Sequence, residues 1–171
     1  MKLYRIILVD DEEEVRKSII RKIKWEENGF LVAGDAENGE DALEKIEALE
    51  PDLILTDIRM PYMDGLTLAE RVRQKYPSMK IVIFSGYDDF EYAKQAIKLN
   101  VTEYILKPVN VEELTAILQK IKANLDQEIE QKRNVNLLRE NYIKSLPILR
   151  EQFLNELVNA PIAYETVQTR L

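Results

Sequence analysis

Four short apolar runs in this chain end on side chains suited to phosphate chemistry. Ile6–Val9 runs into Asp10-Asp11, Leu53–Leu55 into Thr56-Asp57, Ile81–Phe84 into Ser85, and Tyr104–Leu106 into Lys107-Pro108. Set side by side as parallel strands, these runs place three carboxylates, a hydroxyl and an ammonium along one edge. A carboxylate can attack phosphorus and become an acyl phosphate. Mg²⁺ accepts a few carboxylates together with water and a phosphate oxygen. An ammonium neutralises phosphoryl charge, and a hydroxyl can donate to a phosphoryl oxygen. Each group alone has a bland explanation. Asp10-Asp11 suits a helix N-cap, Asp57 an Asx-turn, Ser85 a bond to its own backbone, and Lys107 a solvated surface. Together they demand more, because two like charges 4 Å apart repel by about 4 kcal/mol at an effective dielectric of 20. Three gathered acids therefore call for a hard cation or a shared proton.

Composition narrows the chemistry further. The 171 residues include no Cys and no His, which removes disulfides, thiol nucleophiles, the usual general base and most zinc sites. A net charge of −7 argues against this stretch itself gripping a nucleic acid backbone. Arg16, Lys17, Arg21, Lys22 and Lys24 are a local exception, but they follow Glu12-Glu13-Glu14. That order suits one helix with acids at its N-terminus and bases at its C-terminus. No apolar stretch reaches the ~18 residues needed to span a bilayer, and Asp10-Asp11 halts the first run too early for a signal-peptide core. A cytoplasmic protein with no membrane partner is the expectation.

The elements that must position the polar groups follow from periodicity. Strands are predicted at 5–9, 30–33, 53–56, 80–84 and 103–106. Between them, helices are marked by Val15, Ile19, Ile20 and Ile23, by Ala42, Leu43, Ile46 and Leu49, by 66–76, and by Phe90, Ala93, Ala96 and Ile97. A fifth helix starts after an Asn110 N-cap with Glu113 at N3, and turns Leu114, Ile117, Leu118 and Ile121 to one face. Solid apolar strands alternating with helices indicate a doubly wound, five-stranded parallel α/β sheet. Its expected flavodoxin-like order is 2-1-3-4-5, with the crevice at the carboxyl ends of the strands. In that order strands 1, 3, 4 and 5 are neighbours, so the acids, serine and lysine converge.

Past residue 110 the character changes. All five glycines lie at or before Gly86, and no Pro or Gly falls between Asn110 and Leu146. A helix of that length extends about 50 Å, beyond one small domain. Two arrangements fit it. One is a parallel coiled coil with a second copy; the other is an intrachain hairpin folding back after Pro147, where Leu149, Phe153 and Leu157 start a second stripe.

Asp10-Asp11, Asp57 followed by Met60-Pro61 and Asp64-Gly65, Ser85-Gly86 and Lys107-Pro108 closely resemble the receiver domain of bacterial two-component response regulators. The likeness covers about residues 3–123, so the expected domains are 1–123 (receiver) and 124–171 (helical extension). The resemblance implies that Asp57 is the phosphoacceptor and that Asp11 and Asp57 are side-chain ligands of Mg²⁺. It further implies that Asp10 acts through metal-bound water and that the Arg59 backbone carbonyl is another ligand. Ser85 and Lys107 would bind the phosphoryl group, and the Lys107–Pro108 peptide would be cis. Tyr104 matches an aromatic that swings inward when Ser85 moves toward the phosphate. A sensor histidine kinase is the implied donor, and a homodimer is expected through the face of strand 4, helix 4, strand 5 and helix 5, through the helical extension, or both.

Ser85–Ala93 and Lys107-Pro108-Val109 resemble the subgroup whose output is an AraC-type DNA-binding domain. DNA binding is expected only through such a domain, which this chain does not include. Two readings stay open: an N-terminal fragment of a longer transcription regulator, or a stand-alone receiver that docks on a partner. A phosphatase of the acyl-phosphate type is a third class. It would want an acid two residues beyond the nucleophile, where this chain has Arg59, so a switch rather than a turnover enzyme is expected. Arg59 and Tyr87 flank the pocket and are candidates for setting the dephosphorylation rate.

Overall fold

The computed structural model describes residues 2–86 and 90–159. β1 (Tyr4–Val9), β2 (Phe30–Ala36), β3 (Leu53–Asp57), β4 (Lys80–Ser85) and β5 (Glu103–Leu106) form one parallel sheet in the order β2-β1-β3-β4-β5. Five helices alternate with them: α1 (Glu13–Lys22), α2 (Gly39–Leu49), α3 (Gly65–Lys75), α4 (Phe90–Lys98) and α5 (Val111–Asn159). The expected order is therefore observed. Ile7, Ile54, Ile81 and Ile83 are fully buried, as are their neighbours Ile6, Leu53, Leu55 and Val82. Burial of successive residues, which point to opposite sides of a strand, means that both faces are covered. That is why these strands read as solid apolar runs.

Register aligns the chemistry. Val9 pairs with Thr56, Asp57 with Phe84, and Ser85 with Leu106, so the carboxyl ends of four strands finish level. Asn38 and Asp64 cap α2 and α3 by accepting from the Asp41 and Thr67 N–H groups at 2.9 and 2.7 Å. Asn110 accepts from the N–H groups of Glu112 and Glu113 at 2.8 and 3.3 Å, the cap expected for α5.

At the other end of the sheet, Arg73 of α3 donates to the carbonyls of Pro77, Met79, Leu99 and Asn100. Thr102 joins the same edge: its Oγ1 accepts from the Ile81 N–H, and its own N–H donates to the Ile81 carbonyl. The amino ends of β4 and β5 are thus tied to one guanidinium.

Three features differ from expectation. β2 continues to Ala36, beyond the predicted 33. Gly34 and Asp35 are poor strand formers, but they pair with Ile7 and Leu8 across a register shift between Ile6 and Ile7, and pairing overrides propensity. In α4 only Ala96 is buried, while Phe90 and Ile97 are about three-quarters exposed. α5 does not turn back after Pro147 but runs through it to Asn159. Proline there removes one backbone donor without stopping the helix, so the hairpin, one of the two arrangements left open by the sequence, does not form up to residue 159. The chain divides into two compact units between Asn124 and Leu125.

Gly65 opens α3 directly beneath the end of β3. Its N–H donates to the Ile58 carbonyl at 2.7 Å, and a Cβ there would lie 1.9 Å from the Asp57 carbonyl oxygen. Gly65→Ala is expected to cost about 1–3 kcal/mol of stability through overpacking. Gly86→Ala, whose Cβ meets nothing within 4 Å, is the control that should unfold unchanged in urea titration.

Candidate functional site

The β1–α1 loop, the end of β3 and the residue after β5 meet through one lysine. Lys107 Nζ lies 2.9 Å from Asp10 Oδ2 and 3.1 Å from Asp57 Oδ2. The remaining oxygen of each acid accepts a backbone N–H. Asp10 Oδ1 takes that of Glu12 at 2.9 Å, and Asp57 Oδ1 that of Ile58 at 2.8 Å. Both acids are nearly fully buried, and the lysine side chain is 18% exposed. The Lys107 N–H donates to the Ser85 carbonyl at 2.8 Å, which holds the ends of β4 and β5 together, and the Lys107–Pro108 peptide is cis.

Burial pushes the Asp57 carboxyl above the usual carboxylate range, and nearby Asp10 adds to that. Lys107 and the Ile58 N–H oppose the rise without cancelling it. Burial alone would lower the Lys107 ammonium, but its bonds to Asp10 and Asp57 outweigh this and hold it above its ordinary value. A desolvated carboxylate beside a fixed ammonium is a nucleophile that already has a counter-charge for an incoming phosphoryl group.

Asp11 is exposed at the rim, and its carboxylate lies within 4.8 Å of those of Asp10 and Glu12. This trio could hold a metal ion. Asp57 joins Asp10 through Lys107 rather than through the trio. Ser85 is buried at the end of β4. Arg59 is exposed, its guanidinium 5.9 Å from the centre of the Tyr92 ring. Tyr104 packs against the core, and its buried hydroxyl has no hydrogen-bond partner among the described residues. Tyr87 lies outside the described residues.

Two contributors were not singled out from the sequence. Glu12 reads as the first acid of a helix N-terminus, yet its side chain makes no capping bond there; it stands beside Asp10 and Asp11 instead. Arg16 reads as part of a basic helix end. Its Nη1 donates to the Asp10 carbonyl at 2.6 Å and its Nε to Asp35 Oδ2 at 2.8 Å, with the side chain only 12% exposed. It braces the acidic loop against β2.

The model of the response regulator receiver domain matches residues 6–119. The chain belongs to that family. YesN of Bacillus subtilis, described as an uncharacterized transcriptional regulatory protein, is 37% identical to this receiver chain over 158 residues. That match takes in 91% of this chain and 42% of YesN. The transcriptional regulatory protein HptR of Staphylococcus aureus is 31% identical over 157 residues, covering 92% of this chain and 61% of its own. The chain thus spans about two-fifths to three-fifths of these relatives' length. Among solved structures, the REC domain of AraT, a response regulator from Geobacillus stearothermophilus, superimposes with a TM-score of 0.70 at 39% identity, covering 74% of this chain and 98% of that one. A two-component transcriptional regulator AraC from Clostridium phytofermentans gives 0.67 at 35%, covering 73% and 98%. Receiver domains act as switches rather than turnover enzymes.

Lys107→Met leaves Asp10 and Asp57 buried with no cation. At neutral pH this should cost about 3 kcal/mol, the scale for breaking a buried ion pair. The sign with pH follows from proton binding. A carboxyl whose pKa is raised on folding holds its proton in a window where the unfolded chain has lost it. Its contribution favours folding below the unfolded value and is lost as pH rises through the folded one. The Lys107→Met deficit should therefore shrink as pH falls toward the carboxylate range. Urea titrations of both proteins across that range check this, and a deficit that grows on acidification contradicts it.

Proposed function

We propose that this chain is the phosphoacceptor switch of a two-component response regulator, taking a phosphoryl group on Asp57 from a sensor histidine kinase in a Mg²⁺-dependent reaction. The observation that supports this best is the Lys107 ammonium held against both Asp10 and Asp57. Asp57 attacks phosphorus through a side-chain oxygen, and the P–N bond of the donor phosphohistidine breaks. The donor must lie outside this sequence, which has no His. Asp10, Asp11 and Asp57, with the Arg59 backbone carbonyl, would hold Mg²⁺; the close spacing of the Asp10, Asp11 and Glu12 carboxylates fits a hard cation. When bound, the ion neutralises charge on the phosphoryl oxygens. Lys107 pairs with one of those oxygens and Ser85 donates to another. Arg59 and Tyr87 modulate hydrolysis of the phosphorylated form.

The new phosphate carries nearly two negative charges. It draws Ser85 and Lys107 toward it and biases a two-state equilibrium on the β4–α4–β5 side, where Tyr104 moves into the space vacated by Ser85. Tyr104 has reason to move, since its buried hydroxyl makes no bond among the described residues. The output is control of transcription in the cytoplasm through an AraC-type DNA-binding domain outside this chain. A second reading, docking or dimerisation through the receiver itself, draws on the exposed apolar residues Phe90, Ile97 and Leu106.

Acetyl phosphate with Mg²⁺ is expected to add one phosphoryl group, measured by intact mass. Asp57→Asn or EDTA should abolish the addition, and a modified Asp57→Asn protein would show that the nucleophile is misassigned. A second measurement concerns Arg16, which should be felt in metal binding more than in folding. Arg16→Ala is expected to weaken Mg²⁺ binding about tenfold, the lower end of what outer-shell partners contribute, with Arg16→Lys recovering part of it. Unchanged metal affinity in Arg16→Ala would remove the bracing role.

A further inference from the structure

The strongest pattern left unexplained by the site lies in α5. Residues 135–156 are two eleven-residue blocks, Val-Asn-Leu-Leu-Arg-Glu-Asn-Tyr-Ile-Lys-Ser and Leu-Pro-Ile-Leu-Arg-Glu-Gln-Phe-Leu-Asn-Glu, and a third begins at Leu157. Apolar residues recur at matching positions: Val135 with Leu146 and Leu157, Leu138 with Leu149, and Tyr142 with Phe153. These side chains are all exposed, from 43% at Leu146 to 69% at Leu138. Their spacing runs three, four, four. Eleven residues fill three turns at about 3.67 per turn, so the stripe follows one line along the helix with a slight right-handed drift. Pro147 falls outside the stripe. An exposed apolar line repeated at a coiled-coil period is unfavourable for a lone helix in water and self-complementary to its own copy.

The borders of the stripe select an orientation. Arg139 and Arg150 run along one edge; Ser145 and Glu156 lie along the other. In an antiparallel pair like edges face each other, setting arginine against arginine. In a parallel pair unlike edges meet, setting the arginine edge against a neutral or acidic one. We propose that residues 135–158 pair with the same segment of a second copy as a parallel, in-register, two-stranded coiled coil. This interface is distinct from the receiver face named above and needs no phosphorylation. Both helices of such a pair reach residue 158 at the same end, so whatever follows in each copy starts side by side.

The chain has no Cys, so Leu138→Cys and Phe153→Cys each carry a single thiol. Sedimentation equilibrium of the 171-residue chain should show a dimer at micromolar concentration. On mild oxidation each variant should form a disulfide dimer by itself, since a bridge needs Cα atoms about 4.4–6.8 Å apart. An antiparallel pair would set position 138 opposite 153, so dimers forming only when the two variants are mixed would overturn the proposal. So would a monomeric parent chain. Phe153→Asp should raise the dimer dissociation constant more than about tenfold, about 1.4 kcal/mol, while still accepting phosphate from acetyl phosphate. If Ile97→Asp dissolves the dimer and Phe153→Asp leaves it intact, the α4 face is the interface and the coiled coil is refuted, with the phosphoacceptor reading untouched.

Discussion

One ammonium makes the carboxyl edge of this sheet tolerable. Asp10 and Asp57 are both nearly sealed from water, and either would be costly to ionise alone at that depth. Lys107 reaches both from the far side of the crevice, so one ammonium serves two buried carboxyl groups. That arrangement exists only because β5 lies in the same sheet as β1 and β3, with the lysine one step past its last residue. The fold is thus the means of bringing a residue near position 107 to residues near 10 and 57. The balance is also delicate: two acids share one cation, so any added anion or cation must shift the partners.

Much of this was legible because the informative residues sit where regular structure ends. A strand of solid Ile, Leu and Val announces itself, and the polar residue that stops it is also the one at the sheet edge. Strand order then follows from chain connectivity. What escaped was set by contacts that no local pattern encodes. Gly34 and Asp35 look like a break, but β1 recruits them. Arg16 belongs to a run of bases whose other members face water, and only the path of β2 brings Asp35 within its reach. Glu12 fits a helix start so naturally that its proximity to Asp10 and Asp11 is hidden. In α4, Phe90 and Ile97 have helical spacing, yet spacing alone does not say which of two apolar edges meets the sheet. Pro147 leaves a fold-back hairpin and a coiled coil both open in the sequence, and the helix runs through it because one lost backbone bond is a bearable local defect.

The two ends of β4 and β5 differ in what holds them. At the amino ends Arg73 collects four carbonyls and Thr102 fastens one strand to the other. At the carboxyl ends Ser85 pairs with Leu106 in the ladder, and the Lys107 N–H donates to the Ser85 carbonyl just beyond it. A guanidinium from α3 thus fixes the amino ends, while ladder pairing carries the two strands together to the carboxyl edge. Because the pairing reaches the last residue of each strand, a displacement of buried Ser85 would be passed to its ladder partner Leu106, whose side chain lies at the surface.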